Sequence, residues 1–309
     1  MKILVTGGAG FIASHIVDAF IAKGYEVCVV DNLSTGHRDF VNKNAVFYEA
    51  DIRDRKAIEK IFQREKPDII DHHAAQISVR NSVDDPINDA QVNLLGLLNL
   101  LETGRKTGIK KVIFASSGGV VYGEAKKVPT PESYKPLQPL SPYGVSKLAS
   151  EYYLHFYHKT YGIPFVALRY SNVYGPRQNP HGEAGVVAIF SLKLLYGQVP
   201  VINGDGRQTR DYVYVADVVK ANVLAAKKSV VGAFNIGTGK ETDVVKIYEK
   251  IRKSTDSQIV AKHGPAKDGE QKRSCLDASM ADEKLGWEPQ VDLSKGLDLT
   301  VAYFKNLRQ

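Results

Sequence analysis

The chain of 309 residues has only two cysteines, Cys28 inside an apolar run and Cys275 far along the sequence. That scarcity argues against a disulfide framework and a cysteine-rich metal cluster, and it fits a reducing compartment. Long apolar runs are missing too: none approaches the ~18 residues of a membrane span. The opening "MKILV" carries the charge of a signal peptide, but Gly7, Gly8 and Gly10 cut its apolar run to about four residues, too short for an h-region. A cytoplasmic protein with no membrane partner is expected. No block of one charge exists either. The 41 basic and 34 acidic residues leave a net charge of +7, yet the basic pairs (Lys110-Lys111, Lys126-Lys127, Lys227-Lys228, Lys272-Arg273) are scattered. Nucleic acid is therefore not an expected partner, whereas a mild positive field suits an anionic small ligand. Neither an internal repeat nor a low-complexity tract is visible.

What is present is ordinary globular composition, 43% hydrophobic and 24% charged, at a length that suits one domain plus a lobe, or two domains. Short β-branched runs alternate with helix-like segments. "KILVT" (2–6) leads into a helical pattern over 11–24, followed by strands at 25–31 and 45–51, a charged helix over 54–65 and a strand at 67–72. The segment 92–101 is apolar on more than one face, which burial on both sides explains, against the sheet and a neighbouring helix of either the same subunit or another copy of the chain. Then come a strand at 110–117, a helix over 143–162 and a strand at 164–172. Such alternation predicts an α/β fold, a doubly wound parallel sheet covered on both faces. Beyond about residue 172 the rhythm breaks into Gly- and Pro-rich loops and short elements, with helices at 241–253 and 294–306, which predicts a smaller C-terminal lobe.

Three motifs carry chemistry. In "TGGAGFI" (6–12), between a strand and a helix, Gly7 and Gly10 let backbone approach a diphosphate, which the helix N-terminus then binds. Asp31 ends the next strand, where a carboxylate takes adenosine ribose hydroxyls and repels a 2′-phosphate; NAD is thus favoured over NADP. Asp51-Ile52, at another strand end, offers adenine an acceptor and an apolar wall. In "YGVSK" (143–147), Tyr143 and Lys147 lie one helical turn apart on a shared face. A phenol with pKa near ~10 is a poor base at neutral pH, but an ammonium and a cationic nicotinamide beside it both favour the phenolate. The third is "ASSGGVVYG" (115–123), a strand end with two hydroxyls and bare backbone.

With "DNLSTG", "HHAAQISV", "VNLLGLLNLLE", "LRYSNVYGPRQ", "GDGRQTRDYVYVADV" and "LGWEP" in the same order, the chain resembles the extended short-chain dehydrogenase/reductase family, and within it the UDP-glucose 4-epimerases. The resemblance implies a Rossmann-type NAD-binding domain over 1–172, with 209–237 returning to it, and a nucleotide-sugar lobe over 173–309. It implies an NAD site lined by Gly7, Gly10, Phe11, Ile12, Asp31, Asn32, Ser34, Thr35, Gly36, Asp51 and Ile52. Ala74, Ala75 and Asn93 border the cofactor by the same likeness, and Tyr143, Lys147 and Tyr170 surround the nicotinamide end. Asn172 and Arg210 match diphosphate contacts. "PAKDGE" (265–270) supplies Lys267, where the family pattern has Arg, and Glu270 for the uridine ribose; a lysine there keeps a point charge but loses bidentate recognition.

The family's catalytic hydroxyl falls at Gly118, so it is missing here. Ser117 is the candidate to replace it if the backbone twists at the glycines, since a one-residue shift on a strand changes the face. The other reading is that both serines satisfy backbone groups. The implied reaction is 4-epimerisation of a UDP-sugar, with Tyr143 as base, Lys147 supporting it and no metal, in a homodimer. Gly119-Val120 stand where a 4,6-dehydratase needs an acid/base pair, and no extra cations mark a glucuronate enzyme. A non-catalytic NAD-binding regulator has no use for a Tyr-Lys couple. Ser274 falls at a pocket position of variable bulk, where a small residue admits an N-acetyl group.

Overall fold

The computed structural model describes residues 1–180, 185–266 and 271–307. The N-terminal part begins with β1 (Lys2–Thr6), α1 (Phe11–Ala22), β2 (Glu26–Asp31), β3 (Val46–Glu49), α2 (Arg55–Glu65) and β4 (Ile69–His72). Two short helices follow, α3 (Val79–Asp84) and α4 (Pro86–Ala90), then a π-helical turn (Gln91–Leu95) that runs into α5 (Gly96–Thr107). β5 (Lys111–Ser117), α6 (Pro142–Tyr161) and β6 (Phe165–Tyr170) complete this part. Beyond it lie β7 (Asn172–Tyr174), α7 (Val186–Leu195), β8 (Val201–Asn203), β9 (Thr209–Tyr214), α8 (Val215–Lys227) and β10 (Gly232–Ile236). The chain continues through β11 (Glu241–Asp243), α9 (Val244–Ser254), β12 (Lys262–Gly264), β13 (Arg273–Ser274), α10 (Ser279–Leu285) and α11 (Leu293–Asn306).

Seven parallel strands form the central sheet in the order β10-β6-β5-β4-β1-β2-β3. The apolar strand runs are long enough to be buried on both faces; every residue of β6 is buried. One face packs Ile16, Val17 and Phe20 of α1 with Val218 and Ala221 of α8. The other packs Ile58 and Phe62 of α2, Leu97 and Leu101 of α5, and Leu154 and Tyr157 of α6. β10 returns to the sheet beside β6, and α8 covers it against α1. A separate core holds the C-terminal part: Phe190 and Leu194 of α7, Tyr248 and Ile251 of α9, and Leu297 and Val301 of α11.

The apolar segment 92–104 is helical but not uniformly so. Its first residues form the π turn, and α5 then packs on α2 and the sheet. Pro86 splits the preceding stretch into α3 and α4, with Ser78 and Asp85 capping them. No described helix is long and apolar enough to cross a membrane.

The single tryptophan, Trp287, is 0% exposed and donates its indole N–H to Asp217 O at 2.8 Å. It clamps the segment after α10 onto α8. Trp287→Ala should cost about 3–5 kcal/mol in urea unfolding, the range for emptying a large aromatic site; a cost under about 1 kcal/mol would mean that the site collapses freely.

Candidate active site

Strand order reverses between β1 and β4, and α/β sheets take ligands outside the carboxyl ends of their strands at such a point. Gly7 lies there with φ +70°; its N–H donates to Val30 O at 2.8 Å, and Gly10 N–H to Gly7 O at 2.9 Å. A Cβ on Gly7 would stand 2.8 Å from Ala74 N and 2.9 Å from His73 C, so only glycine lets the segment after β4 close over this turn. Gly10 caps α1, whose first turn, beginning at Phe11 and Ile12, has neither a side-chain cap nor an acid. Its N–H groups are thus unclaimed by side chains, as an anion site requires.

Asp31 is buried at the end of β2 and accepts N–H bonds from Ala9 at 3.0 Å and Leu33 at 2.8 Å. Each of its oxygens retains a lone pair for a ribose hydroxyl. The loop after it exposes Asn32, Ser34 and Thr35, while Gly36 presses on Ala9 of the glycine turn. Ile52 is buried against Gly96 of α5. Asp51 is more occupied than the sequence suggested. It pairs with Arg53 at 2.8 Å and accepts from Asn32 Nδ2 at 2.9 Å, and the Arg53 hydrogen bonds hold its carboxyl down at about 2. Arg53 was overlooked, although Asp-x-Arg at a strand end was a visible signal.

Ser141 and Pro142 start α6, with Ser141 Oγ accepting Gly144 N–H at 3.1 Å, and so place Tyr143 and Lys147 in its first turns. Lys147 is 4% exposed; its ammonium donates to Ala115 O at 2.8 Å and stands 5.7 Å from the Tyr143 ring centre. Burial lowers its pKa to about 8, against the opposing charges of Asp89 and Glu151. Tyr143 moves the other way: burial, and then the Asp89 charge, push the phenol up. The lysine by itself therefore does not yield a phenolate. A second positive charge beside the ring would favour the phenolate.

The two serines have different fates. Ser116 donates to Glu151 Oε1 at 2.5 Å, inside a buried network in which Arg169 pairs with Glu151 and also donates to Tyr122 Oη at 2.8 Å. The Ser117 hydroxyl makes no hydrogen bond among the described residues. β5 extends through Ser117, which pairs with Tyr170. Strand alternation thus still governs it, with Ser116 facing α6 and Ser117 on the Ile113 side. The expected backbone twist is not seen within the strand. Gly118 is glycine for a steric reason, since a Cβ there would overlap the Leu276 side chain.

Ala74 and Ala75 follow β4, where Thr6 Oγ1 accepts the N–H groups of His73 at 3.2 Å and Ala74 at 3.1 Å. Asn93, in the π turn, has its amide committed to Gln76 and Asp89, so it shapes this loop through Gln76. Tyr170 Oη is 3.0 Å from His73 Nε2 and accepts from Asn222 Nδ2 at 2.8 Å, which leaves its ring and backbone for a ligand. Asn172 opens β7, exposed and in register with Tyr212; Arg210 lies two positions earlier on β9 and is paired with Ser274 of β13. Lys267 and Glu270 lie outside the described residues. The sequence reading overlooked Thr6, Gln76, Asp89 and the Glu151–Arg169 pair; none has a local signature.

The family model of the NAD dependent epimerase/dehydratase family matches residues 3–237. The chain belongs to that family. It is 44% identical to a Mycolicibacterium smegmatis UDP-glucose 4-epimerase, over 100% of both chains. A Thermotoga maritima UDP-glucose 4-epimerase solved with UDP-glucose is 50% identical, with a TM-score of 0.98 and 100% of both chains covered. A Thermus thermophilus UDP-glucose 4-epimerase solved with NAD is 44% identical, with a TM-score of 0.93 and 99% of both chains covered. The glycine cradle, the uncapped α1 and the buried Asp31 acceptor of this epimerase-family chain fit NAD.

Gly7→Ala would force a side chain into backbone at an unfavourable φ, at a strain cost of roughly 1–3 kcal/mol. The purified variant should retain less than about a tenth of the NAD carried by the wild type, each ~1.4 kcal/mol being tenfold in affinity, as measured by acid release and assay of the nucleotide.

Proposed function

We propose that this enzyme interconverts UDP-glucose and UDP-galactose through a 4-keto sugar, using tightly bound NAD. The observation that carries the reading is the Tyr143–Lys147 couple in a desolvated first turn of α6, beside a cradle that fits NAD. Residues 1–172 with 209–237 hold the cofactor, and residues 173–309 hold the UDP-sugar. NAD, when bound, supplies a reversible hydride acceptor and a positive charge. Tyr143 removes the proton of the sugar 4-hydroxyl as carbon 4 loses hydride and becomes a ketone. The sugar turns about its diphosphate linkage, carbon 4 regains hydride on the opposite face, and Tyr143 returns the proton. Lys147 stabilises the phenolate. Asn172 and Arg210 hold the diphosphate, with Lys267 and Glu270 on the nucleotide. Ser117, whose hydroxyl has no partner among the described residues, positions the sugar.

A homodimer is part of the reading. Val145, Tyr152, Tyr153 and Phe156 of α6 are exposed, beside exposed Val83 of α3 and Ile87 of α4, which pack on that helix. Apolar surface at this spacing fits a second copy of the same helices. Two buried free thiols, Cys28 and Cys275, suit the cytoplasm.

Wild type incubated with UDP-galactose and no added NAD should form UDP-glucose, followed by NMR. Tyr143→Phe should cut turnover by about 100-fold or more, as for loss of a general base; near-normal turnover would reject its role. Ser117→Ala should raise KM or lower kcat by about 10-fold, the worth of a single hydrogen bond of ~1.4 kcal/mol. Phe156→Glu should yield a monomer in sedimentation velocity, and an unchanged sedimentation coefficient would reject this dimer face.

A further inference from the structure

Asp89 is 0% exposed at the end of α4. One oxygen accepts from Asn93 Nδ2 at 2.9 Å and Gln76 Nε2 at 3.0 Å, and the other from Ser146 Oγ at 2.6 Å. Ser146 immediately precedes Lys147 on α6. All three partners are neutral, and a neutral amide of the same shape could satisfy them, because a serine hydroxyl can donate or accept. The chain nevertheless buries a carboxylate here, which is costly without a compensating cation.

Lys147 has the complementary problem. Its ammonium is buried and donates to a neutral carbonyl, Ala115 O, with no carboxylate in contact among the described residues. Of the other titratable groups near the couple, Asp71 of β4, which by strand alternation lies on the opposite sheet face from His72, stands 3.0 Å from His73 Nδ1. Glu151, one turn further along α6, is gripped by Arg169 of β6 through two hydrogen bonds. His72 of β4 is neutral: Thr6 Oγ1 already accepts two N–H groups, so its own proton goes to His72 Nδ1 at 2.7 Å. Asp89 is left as the carboxylate without a contact cation, and Lys147 as the ammonium without a contact anion.

We propose that Asp89 is the positioning residue that sets the proton affinity of the Tyr143–Lys147 couple, its charge keeping Lys147 an ammonium while Ser146 ties α6 to α4 and the π turn. The assignment rests on the acid–base role given to that couple in the epimerase reading. The Asp89 charge favours the protonated form of both members. It helps the lysine and hinders the phenol, so its removal must move both in the same direction.

The test compares wild type, Asp89→Asn and Ser146→Ala as NAD-loaded enzymes. For Asp89→Asn, the acid limb (Tyr143) and the alkaline limb (Lys147) of the kcat profile should both move to lower pH, by about 1 unit for a buried charge nearby. Ser146→Ala loses the hydroxyl tie and keeps the charge; it should lower kcat with both limbs in place. Titration of the tyrosinate absorbance, assigned by its loss in Tyr143→Phe, should show the same acid shift without any turnover. A fall in kcat for Asp89→Asn with unmoved limbs and an unmoved tyrosinate titration would overturn the proposal. If the wild type does not epimerise UDP-galactose, the epimerase reading fails, and the tyrosinate titration alone decides on Asp89. Thermal melts of a double-mutant cycle with Lys147→Met guard against misfolding. Asp89→Asn should lower Tm in the wild-type background and leave it unchanged or raised beside Lys147→Met, where Asp89 has lost its cation. Equal losses in both backgrounds, or a double variant that fails to fold, would overturn the charge pairing.

Discussion

Ionising a phenol out of reach of water is the constraint on which the rest of the site depends. Desolvation pushes Tyr143 towards its protonated form, and the nearby Asp89 carboxylate adds to that push. Lys147, anchored to Ala115 O and itself desolvated, cannot outweigh both. A neutral pocket would thus hold a phenol, not a base. In the proposed reading NAD, when bound, would supply the positive charge that tips this balance, so Tyr143 would serve as a base only where an oxidised cofactor could accept hydride. Proton removal and hydride removal would then be coupled by electrostatics, with no moving part required.

Rigidity around the couple follows from the same requirement, because charge effects of this kind fall off with distance and tolerate little disorder. The Ser141 cap and Pro142 fix the start of α6. Ser116, Glu151, Arg169 and Tyr122 tie α6 to β5, β6 and the loop after β5 through buried hydrogen bonds, several of them charge-assisted. Asn235 extends the tie to β10 by accepting from Tyr122 Oη at 2.7 Å. The returning strand is therefore more than an edge to the sheet: it braces the wall that carries Ser116 and Ser117.

Much of this was legible in the sequence because local chemistry enforces it. "KILVT", "VIFAS" and "FVALRY" are too apolar to be anything but doubly covered strands. The glycine turn, Asp31 and the Tyr-Lys spacing each state their geometry within a few residues. What was not legible comes from residues far apart in the chain. Asp89 and Ser146 are 57 positions apart and meet only because α4 packs on α6. Leu276 fills the space beside Gly118 from the far end of the chain, and no pattern around 118 announces it. The interruption of 92–104 was hidden for a related reason: a π turn preserves helical periodicity on either side and shows itself only in backbone hydrogen bonds.

The Leu276 contact also shows how the C-terminal part constrains the chemistry. Leu276 follows β13, whose Ser274 is in register with Arg210 of β9. Its N–H donates to the buried Asp211 carboxylate, which also accepts from Thr238 and Gly239 beyond β10. One carboxylate thus fixes the strand that presents Arg210, the turn leaving the central sheet, and the residue that keeps position 118 free of a side chain. Burial raises the pKa of Asp211, with these donors opposing the rise, so the link is strongest while the group is ionised. Through it, the placement of Arg210 and the steric shape of the strand end beside Ser117 are set by the same few hydrogen bonds. Any change that restored a hydroxyl side chain at position 118 would have to move the Leu276 side chain.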